Sequence, residues 1–387
     1  MTHYVLDART ATPHFPGIGR YVTNLAAALA PLLTSDERLT ILHQPDHRPA
    51  LPDCAAVTLV PVAISPFALA QQWQIPRLLH RLRADVYHSG YNLMPYAPGA
   101  PTILTVYDLI PLLMPEQSSG RARLLARWAN ILALRAARVA LAISEATRRD
   151  YLAHFRVPAE RIIATPLAAD PAFRPQPDAA ITTLRTRYAL PERYVLYLGS
   201  NKPHKNLLGL VEAWQMARGE WRAADGEPPT VTRGTDHALR LVIAGAWDER
   251  YPEAQQRVAA LGRNDSVVFL GPVAEPDLPA LYAGAELFVF PSLYEGFGFP
   301  VLEAMACGTP VICSNVSSLP EVAGAAALQV DPRNAGALAS AINRVSSDAA
   351  LRRSMRQEGL VQAGRFSWTR TAQQTLSAYR CALHEAN

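Results

Sequence analysis

The sequence predicts an α/β protein made of two Rossmann-like halves, and three observations lead there. At 387 residues the chain is longer than one hydrophobic core usually serves. Short apolar runs alternate with helical patterns along nearly its whole length, the pattern of a parallel sheet covered on both faces. Each half also opens on the same unit, an apolar strand, a polar glycine-containing loop and a helix.

In the first half, Tyr4–Asp7 reads as a strand, Thr12–Arg20 as a loop and Tyr21–Leu33 as a helix. Gly17 and Gly19 lack the third glycine of a dinucleotide fingerprint, and no G-x-x-x-x-G-K-[ST] run occurs. Further strands are expected at Thr40–His43, Val57–Val60, Asp85–His88, Thr102–Tyr107 and Val139–Ile143. Ligands of open parallel sheets sit beyond the C-terminal strand ends, so His88 and Asp108, which end two strands, are candidates for the crevice. A plain loop hydrogen-bonding role is the alternative for both. The helix Arg121–Arg138 carries five arginines with Leu124, Leu125, Trp128 and Leu132. It suits an anionic membrane surface; the ordinary reading puts its leucines in the core and its arginines in water.

The proline-rich stretch Ala169–Pro191 reads as an interdomain linker. The second half starts at the strand Arg193–Gly199, with further strands at Arg240–Ala244, Val267–Leu270, Leu287–Phe290 and Pro310–Cys313. The polar segment Arg218–His237 reads as a surface insertion. Of the chain's 37 lysines and arginines only Lys202 and Lys205 are lysine, and both fall in the loop after the first of these strands. Lysine serves phosphate as a compact point charge. The stretch Ser292–Gly308, SLYEGFGFPVLEAMACG, follows the strand Leu287–Phe290. Pro300 suits a helix start and Gly308 its end, which places Glu295 in a strand-to-helix loop and Glu303 one turn inside the helix. Gly296 and Gly298 would let backbone N–H groups approach a ligand. Dipole partners or solvated surface are the plain alternative for the two glutamates. The chain closes on a helix from Phe366 to Leu383, with Ser367 as its N-cap.

Composition excludes several classes. With 49% hydrophobic and 18% charged residues the chain is globular rather than disordered. No apolar run reaches the roughly 20 residues that span a bilayer, and no secretory leader pattern opens the sequence. The four cysteines show no metal-ligand spacing and read as reduced thiols of a cytoplasmic protein. A net charge of +4 permits anionic ligands without implying nucleic acid.

Together the lysine loop, the Glu-x7-Glu pair Glu295 and Glu303, the opening Phe-Pro-Gly-Ile-Gly-Arg-Tyr, the Ser144-Glu-Ala-Thr segment and the Phe366-Ser-Trp start of the last helix resemble the retaining nucleotide-sugar glycosyltransferases of family 4. The resemblance covers nearly the whole chain. It implies the GT-B fold, two Rossmann-like domains facing a central cleft: an acceptor domain over 1–175, completed by a C-terminal helix over 366–387 that crosses back, and a donor domain over 190–365. It implies that Lys205 binds the donor diphosphate, with Lys202 or His204 where the family usually has a second, arginine, ligand. It assigns Glu295 to the donor sugar hydroxyls, with backbone N–H groups over Phe297, Gly298 and Phe299, and Glu303 to the ribose. Gly17 and Gly19 would let the first domain approach the diphosphate and acceptor. Tyr107 stands where many members have a histidine at the reaction centre, which leaves the acceptor type open.

The implied activity is transfer of a mannose- or glucose-type hexose from a GDP-, UDP- or ADP-sugar to a glycan, lipid-linked or small-molecule acceptor. No cofactor or metal is expected, since no Asp-x-Asp motif occurs. The protein is expected in the cytoplasm, with peripheral contact to the inner membrane face as a variant of that reading. Glu295 as a covalent nucleophile is the competing mechanism. An epimerase or phosphorylase on the same architecture, a partner subunit that kept only donor binding, and a nicotinamide dehydrogenase are the alternatives in function.

Overall fold

The computed structural model describes residues 1–12, 16–51, 54–219, 239–260 and 266–384. The chain divides into two units, residues 1–168 with 366–387, and residues 169–365. The first contains a seven-stranded sheet: β1 (Thr2–Asp7), β2 (Glu37–His43), β3 (Val57–Pro61), β4 (Val86–Ser89), β5 (Thr102–Val106), β6 (Val139–Ala142) and β7 (Ile162–Ala164). All its pairings are parallel, in the order β3-β2-β1-β4-β5-β6-β7. The second unit repeats the plan with β8 (Tyr194–Leu198), β9 (Arg240–Ala244), β10 (Val267–Gly271), β11 (Leu287–Phe290), β12 (Val311–Ser314) and β13 (Leu328–Val330), in the order β10-β9-β8-β11-β12-β13. Both orders reverse direction beside their first strand. That reversal opens a crevice between the first and fourth strands of each sheet, at their C-terminal ends.

The strands expected from sequence are present, with ends shifted by a few residues. The edge strands β7 and β13 were not expected. Each has three residues, too few to show a period, and is a strand because a parallel neighbour pairs with it.

Three expectations need correction. The first helix runs Pro16–Leu29 rather than from Tyr21, so Gly17 and Gly19 lie in its opening turn and not in a loop. The stretch 169–191 is no free tether, because it contains the helix Asp178–Tyr188, and Phe173 packs edge-on against Tyr282 at 5.9 Å. On the helix Gly120–Ala136 the leucines expected in the core, Leu124, Leu125 and Leu132, do not face it. The inward positions are Asn130, Ala133 and Leu134, while Leu124, Leu125, Trp128 and Leu132 point outward. The expected insertion lies from residue 220 onward outside the described residues.

The helix Trp368–His384 packs into the first unit. The Tyr379 ring lies 5.0 Å from that of Tyr4, Arg138 donates to the Ala382 carbonyl at 2.8 Å, and the Thr371 hydroxyl donates to Pro166 at 2.6 Å. Arg380 grips Glu37 through two hydrogen bonds of 2.9 Å. Those bonds, against the upward push of burial, lower the Glu37 pKa to about 2 from an ordinary 4.5. The folded value lies below the unfolded one, so the stabilisation is complete above about pH 4.5 and is lost as pH falls through 2. Arg380 is nearly half exposed, which reduces the contribution to about 1–2 kcal/mol. Thermal unfolding of the wild type and of Glu37→Gln should therefore differ at pH 6 and converge toward pH 2. A constant difference would show that the clamp does not act through the carboxylate's charge.

Candidate active site

The second unit holds the more specific cluster. β8 runs into Gly199, and the loop beyond it carries Asn201, Lys202, His204 and Lys205. β11, its neighbour across the direction switch, ends at Phe290 and is followed by the loop that carries Glu295. The two loops therefore meet at the C-terminal edge. Lys205 Nζ lies 2.7 and 3.0 Å from the Glu295 carboxylate oxygens and 5.3 Å from the centre of the Phe290 ring. Both side chains of this pair are mostly buried. Lys202 is exposed, so it can reach an anion only from the solvent side. His204 is buried, and burial followed by the Lys205 charge lowers its pKa to about 4. At neutral pH it is therefore uncharged, which does not suit the role of second phosphate cation.

Backbone geometry fixes both loops. Gly245, at the end of β9, adopts φ +125°, where a Cβ would collide with the Gly199 carbonyl. The Asn201 side chain donates to the carbonyls of Asp248 and Tyr251 at 2.8 and 2.7 Å and accepts from Asp248 N at 2.7 Å. In the Glu295 loop, the Glu295 N–H donates to the Ser317 hydroxyl at 3.0 Å. The fully buried Ser318 hydroxyl reaches the carbonyls of Glu295 at 2.9 Å and Phe297 at 2.7 Å. Gly298 has φ +110°, and a Cβ there would sit 2.6 Å from Leu319. The helix Phe299–Ala306 starts directly after it with Pro300 in its first turn, and Gly308 at φ +75° closes it. Phe297 and Phe299 stack edge-on at 5.3 Å. Nothing local to 292–308 announces Ser317 and Ser318, which come from the loop after the next strand.

Glu303 lies one turn inside that helix, as expected, and is 1% exposed. The Tyr282 hydroxyl donates to its Oε2 at 3.0 Å. Burial, then the Glu303 charge, push the nearby Cys307 thiol up to about 12. The structure thus brings Lys205 and Glu295 into direct contact, while Glu303 is held by Tyr282. Among the described residues no group of three or more His, Cys, Asp or Glu side chains is gathered.

In the first unit the two strand-end candidates part company. His88 is 0% exposed, with Nδ1 2.7 Å from the Tyr379 hydroxyl and Nε2 2.8 Å from Thr105 Oγ1, which in turn meets the Tyr21 hydroxyl at 2.7 Å. Burial lowers its pKa to about 3. His88 therefore stays neutral and ties β4, β5 and the C-terminal helix together. It offers no face to a substrate, contrary to the expectation of a catalytic role. Asp108, by contrast, lines an open cleft of about 680 Å³ with Tyr91, Tyr96, Tyr107, Leu125 and Trp128. Its Oδ1 accepts from Ile110 N at 3.1 Å, and the Tyr107 hydroxyl donates to the Gly90 carbonyl at 2.9 Å. At Gly17 a Cβ would meet open space; at Gly19 it would touch Ala11 Cα at 3.4 Å. Sequence reading also missed the buried pair at the end of β1. Arg9 donates to both Asp7 oxygens at 2.8 and 2.7 Å, and Tyr87 donates to one of them at 2.7 Å.

Residues 16–173 match the family described as Glycosyltransferase Family 4, and residues 183–361 match Glycosyl transferases group 1. O-antigen chain mannosyltransferase B of Escherichia coli is 31% identical over 383 residues, which cover 94% of this chain and 96% of that protein. The chain belongs to the family 4 glycosyltransferases. Its fold is GT-B. Sucrose-phosphate synthase from Thermosynechococcus elongatus is similar at a TM-score of 0.76 with 22% identity, over the full length of both chains. Anabaena Alr3699/HepE, solved in complex with UDP-glucose, is similar at 0.74 with 19% identity over 98% of this chain and all of that one. As a family 4 member the protein is a glycosyltransferase, and the epimerase, phosphorylase, dehydrogenase and non-catalytic readings are not favoured. No helix among the described residues is long and apolar enough to cross a membrane.

Proposed function

We propose that this glycosyltransferase moves a mannose-type hexose from a nucleoside diphosphate sugar to a glycan or lipid-linked acceptor, with retention at the anomeric carbon and without a divalent cation. The observation that carries the donor site is the Lys205–Glu295 contact at the direction switch of the second sheet. The mannose assignment follows the E. coli relative. The four free cysteines suit a reducing, cytoplasmic setting.

In this reading the donor's diphosphate takes the place of the Glu295 carboxylate on Lys205. The released carboxylate then accepts hydrogen bonds from the sugar hydroxyls. The bond from C1 to the phosphate oxygen breaks with its electron pair staying on the diphosphate, where Lys205 stabilises the growing charge. The acceptor oxygen bonds to C1 on the same face, and its proton passes to a phosphate oxygen. The protein's share is positioning and electrostatics. Asp108 offers the first unit's own cleft a carboxylate that can accept a hydrogen bond from an acceptor hydroxyl bound there, and in the second unit Glu303 holds the ribose.

A thermal-shift series with UDP, GDP, ADP and their sugar conjugates, with and without EDTA, tests the donor site. A nucleotide at about 100 times its dissociation constant adds roughly 2.7 kcal/mol, a rise of about 5–10 °C for a unit of this size. The shift is expected with one base and to survive EDTA; no shift with any nucleotide overturns the reading. The anomeric configuration of the product, read by proton NMR, tests retention. Glu303→Gln should weaken nucleotide binding about 10- to 100-fold by removing charge-assisted bonds to the ribose. Tyr282→Phe, which removes only the bond within the protein, should leave binding within about threefold. Equal losses in the two variants would make Glu303 a structural residue.

A further inference from the structure

The helix Gly120–Ala136 is built the wrong way round for a helix that ends at water. Four of its large apolar side chains face out: Leu124 is 57% exposed, Leu125 71%, Trp128 52% and Leu132 37%. Positions 121, 124, 125, 128, 132 and 135 follow three- and four-residue steps, so they form one stripe along the axis. Arg121 and Arg135 stand at its two ends and Arg127 beside it, all exposed. The helix contains no acid, and these three arginines form no ion pair with a described residue. The nearest acids along the chain are Glu116 and Glu145.

A second exposed set lies in the same unit. Phe67, Leu69 and Trp73 are exposed at the start of the helix Gln71–Leu82, where Trp73, Arg77 and Arg81 share one face at four-residue spacing. That helix also contains no acid. It is joined to the wall of the first unit's cleft, because Gln72 donates to the Met94 carbonyl at 2.9 Å and accepts from Tyr96 N at 3.0 Å. Leu125, Trp128 and Leu132 line the same cleft while remaining exposed, so they stand at its mouth.

We propose that these two faces seat the first unit on a bilayer surface that contains anionic lipid. Tryptophan and leucine enter the boundary between headgroups and acyl chains, and the flanking arginines meet the lipid phosphates. The charge pattern decides the choice of partner. A protein partner of mixed charge would be expected to leave acids and bases interspersed on this face, whereas every charged residue of the two helices is an arginine. Seated in this way, the mouth of the Asp108 cleft faces the lipid. The docking does not depend on the transfer reaction and can be tested apart from it.

The test is flotation of the full-length protein with vesicles of phosphatidylcholine alone and of phosphatidylcholine mixed with phosphatidylglycerol. Binding is expected only to the mixed vesicles and should weaken as salt is raised. Arg121→Ser with Arg135→Ser should lower affinity about 25-fold, roughly fivefold for each charge removed near the surface. Leu125→Ser with Trp128→Ser should abolish binding even at low salt. All four side chains lie on the outward stripe, so both double variants should keep the wild-type unfolding temperature, and the arginine pair should keep the nucleotide-induced shift. Equal binding to both kinds of vesicle, or no binding to either, overturns the proposal. So does a dimer that Leu125→Ser with Trp128→Ser dissolves, which would give the face to a second copy of the chain. Loss of the nucleotide shift with vesicle binding intact would count against the donor site and not against the docking face.

Discussion

Lys205→Met is expected to lower turnover by about a hundred- to a thousandfold, the usual cost of removing one preorganised group that meets charge developing in the transition state. The loss should fall on both the chemical step and donor binding, because the diphosphate is charged before and after the bond breaks. A second effect must be separated from the first. Lys205 and Glu295 are mostly buried together, so the single variant leaves a carboxylate without its cation. That costs stability of about 2 kcal/mol, less than for a fully buried pair because both groups keep some access to water. The double variant Lys205→Met, Glu295→Gln removes both charges and should recover most of the stability but none of the turnover. Glu295→Gln alone frees Lys205 from its competitor. It should bind a nucleoside diphosphate at least as tightly as the wild type while transferring poorly. The decisive measurement is calorimetric titration of each variant with the nucleotide identified by thermal shift. Wild-type affinity in Lys205→Met would remove Lys205 from the diphosphate site.

Gly245→Ala should be the most damaging single methyl group in the second unit. The backbone there has φ +125°, a region closed to residues with a Cβ, and the added carbon would strike the Gly199 carbonyl. That contact is backbone against backbone, so no rotamer change relieves it. The Gly199 N–H to Ala244 and Gly245 N–H to Gly271 bonds, 3.0 and 2.8 Å, hold the ends of β8, β9 and β10 together at this point. Strain and overpacking together predict a loss of about 4 kcal/mol, or about 10 °C in the unfolding temperature of a unit this size. Gly199 begins the lysine loop, so any variant that still folds should also bind donor nucleotide more weakly. Scanning calorimetry with and without nucleotide reads both effects. An unchanged transition would mean that the strand ends part easily and that the lysine loop is not braced by them.

Much of the architecture was legible in the sequence because it depends on short-range pattern. Buried parallel strands such as Val195–Leu198 and Leu287–Phe290 read as continuous apolar runs, and alternation with helices implies the parallel sheet. The helix over Phe299–Ala306 was marked by Pro300 before it and Gly308 after it, since each has a local conformational reason to stand there. Lys205 stood out because lysine is otherwise nearly absent from the chain, and Glu295 because of its place in a glycine-rich strand-to-helix loop. Both are chemical and local signals, and both residues lie where the loops of neighbouring strands meet.

Tertiary structure decided what depends on neighbours distant in sequence. His88 and Asp108 end adjacent strands and looked alike. Packing of the C-terminal helix, 291 residues further on, buries the first against Tyr379 and leaves the second at an open cleft. The same holds for Glu303, whose partner Tyr282 precedes it by 21 residues, and for Ser317 and Ser318, which pin the Glu295 loop from a different strand end. The helix Gly120–Ala136 shows the limit most directly. Its sequence contains leucines and alanines on different faces, and nothing in the period says which face meets the sheet. The fold places Asn130, Ala133 and Leu134 inward and leaves Leu125 and Trp128 in water. Local pattern determines which elements form, because backbone conformation and apolar periodicity act over a few residues. Which side chain is buried, paired or left open is set by contacts between elements, and those appear only once the chain has folded.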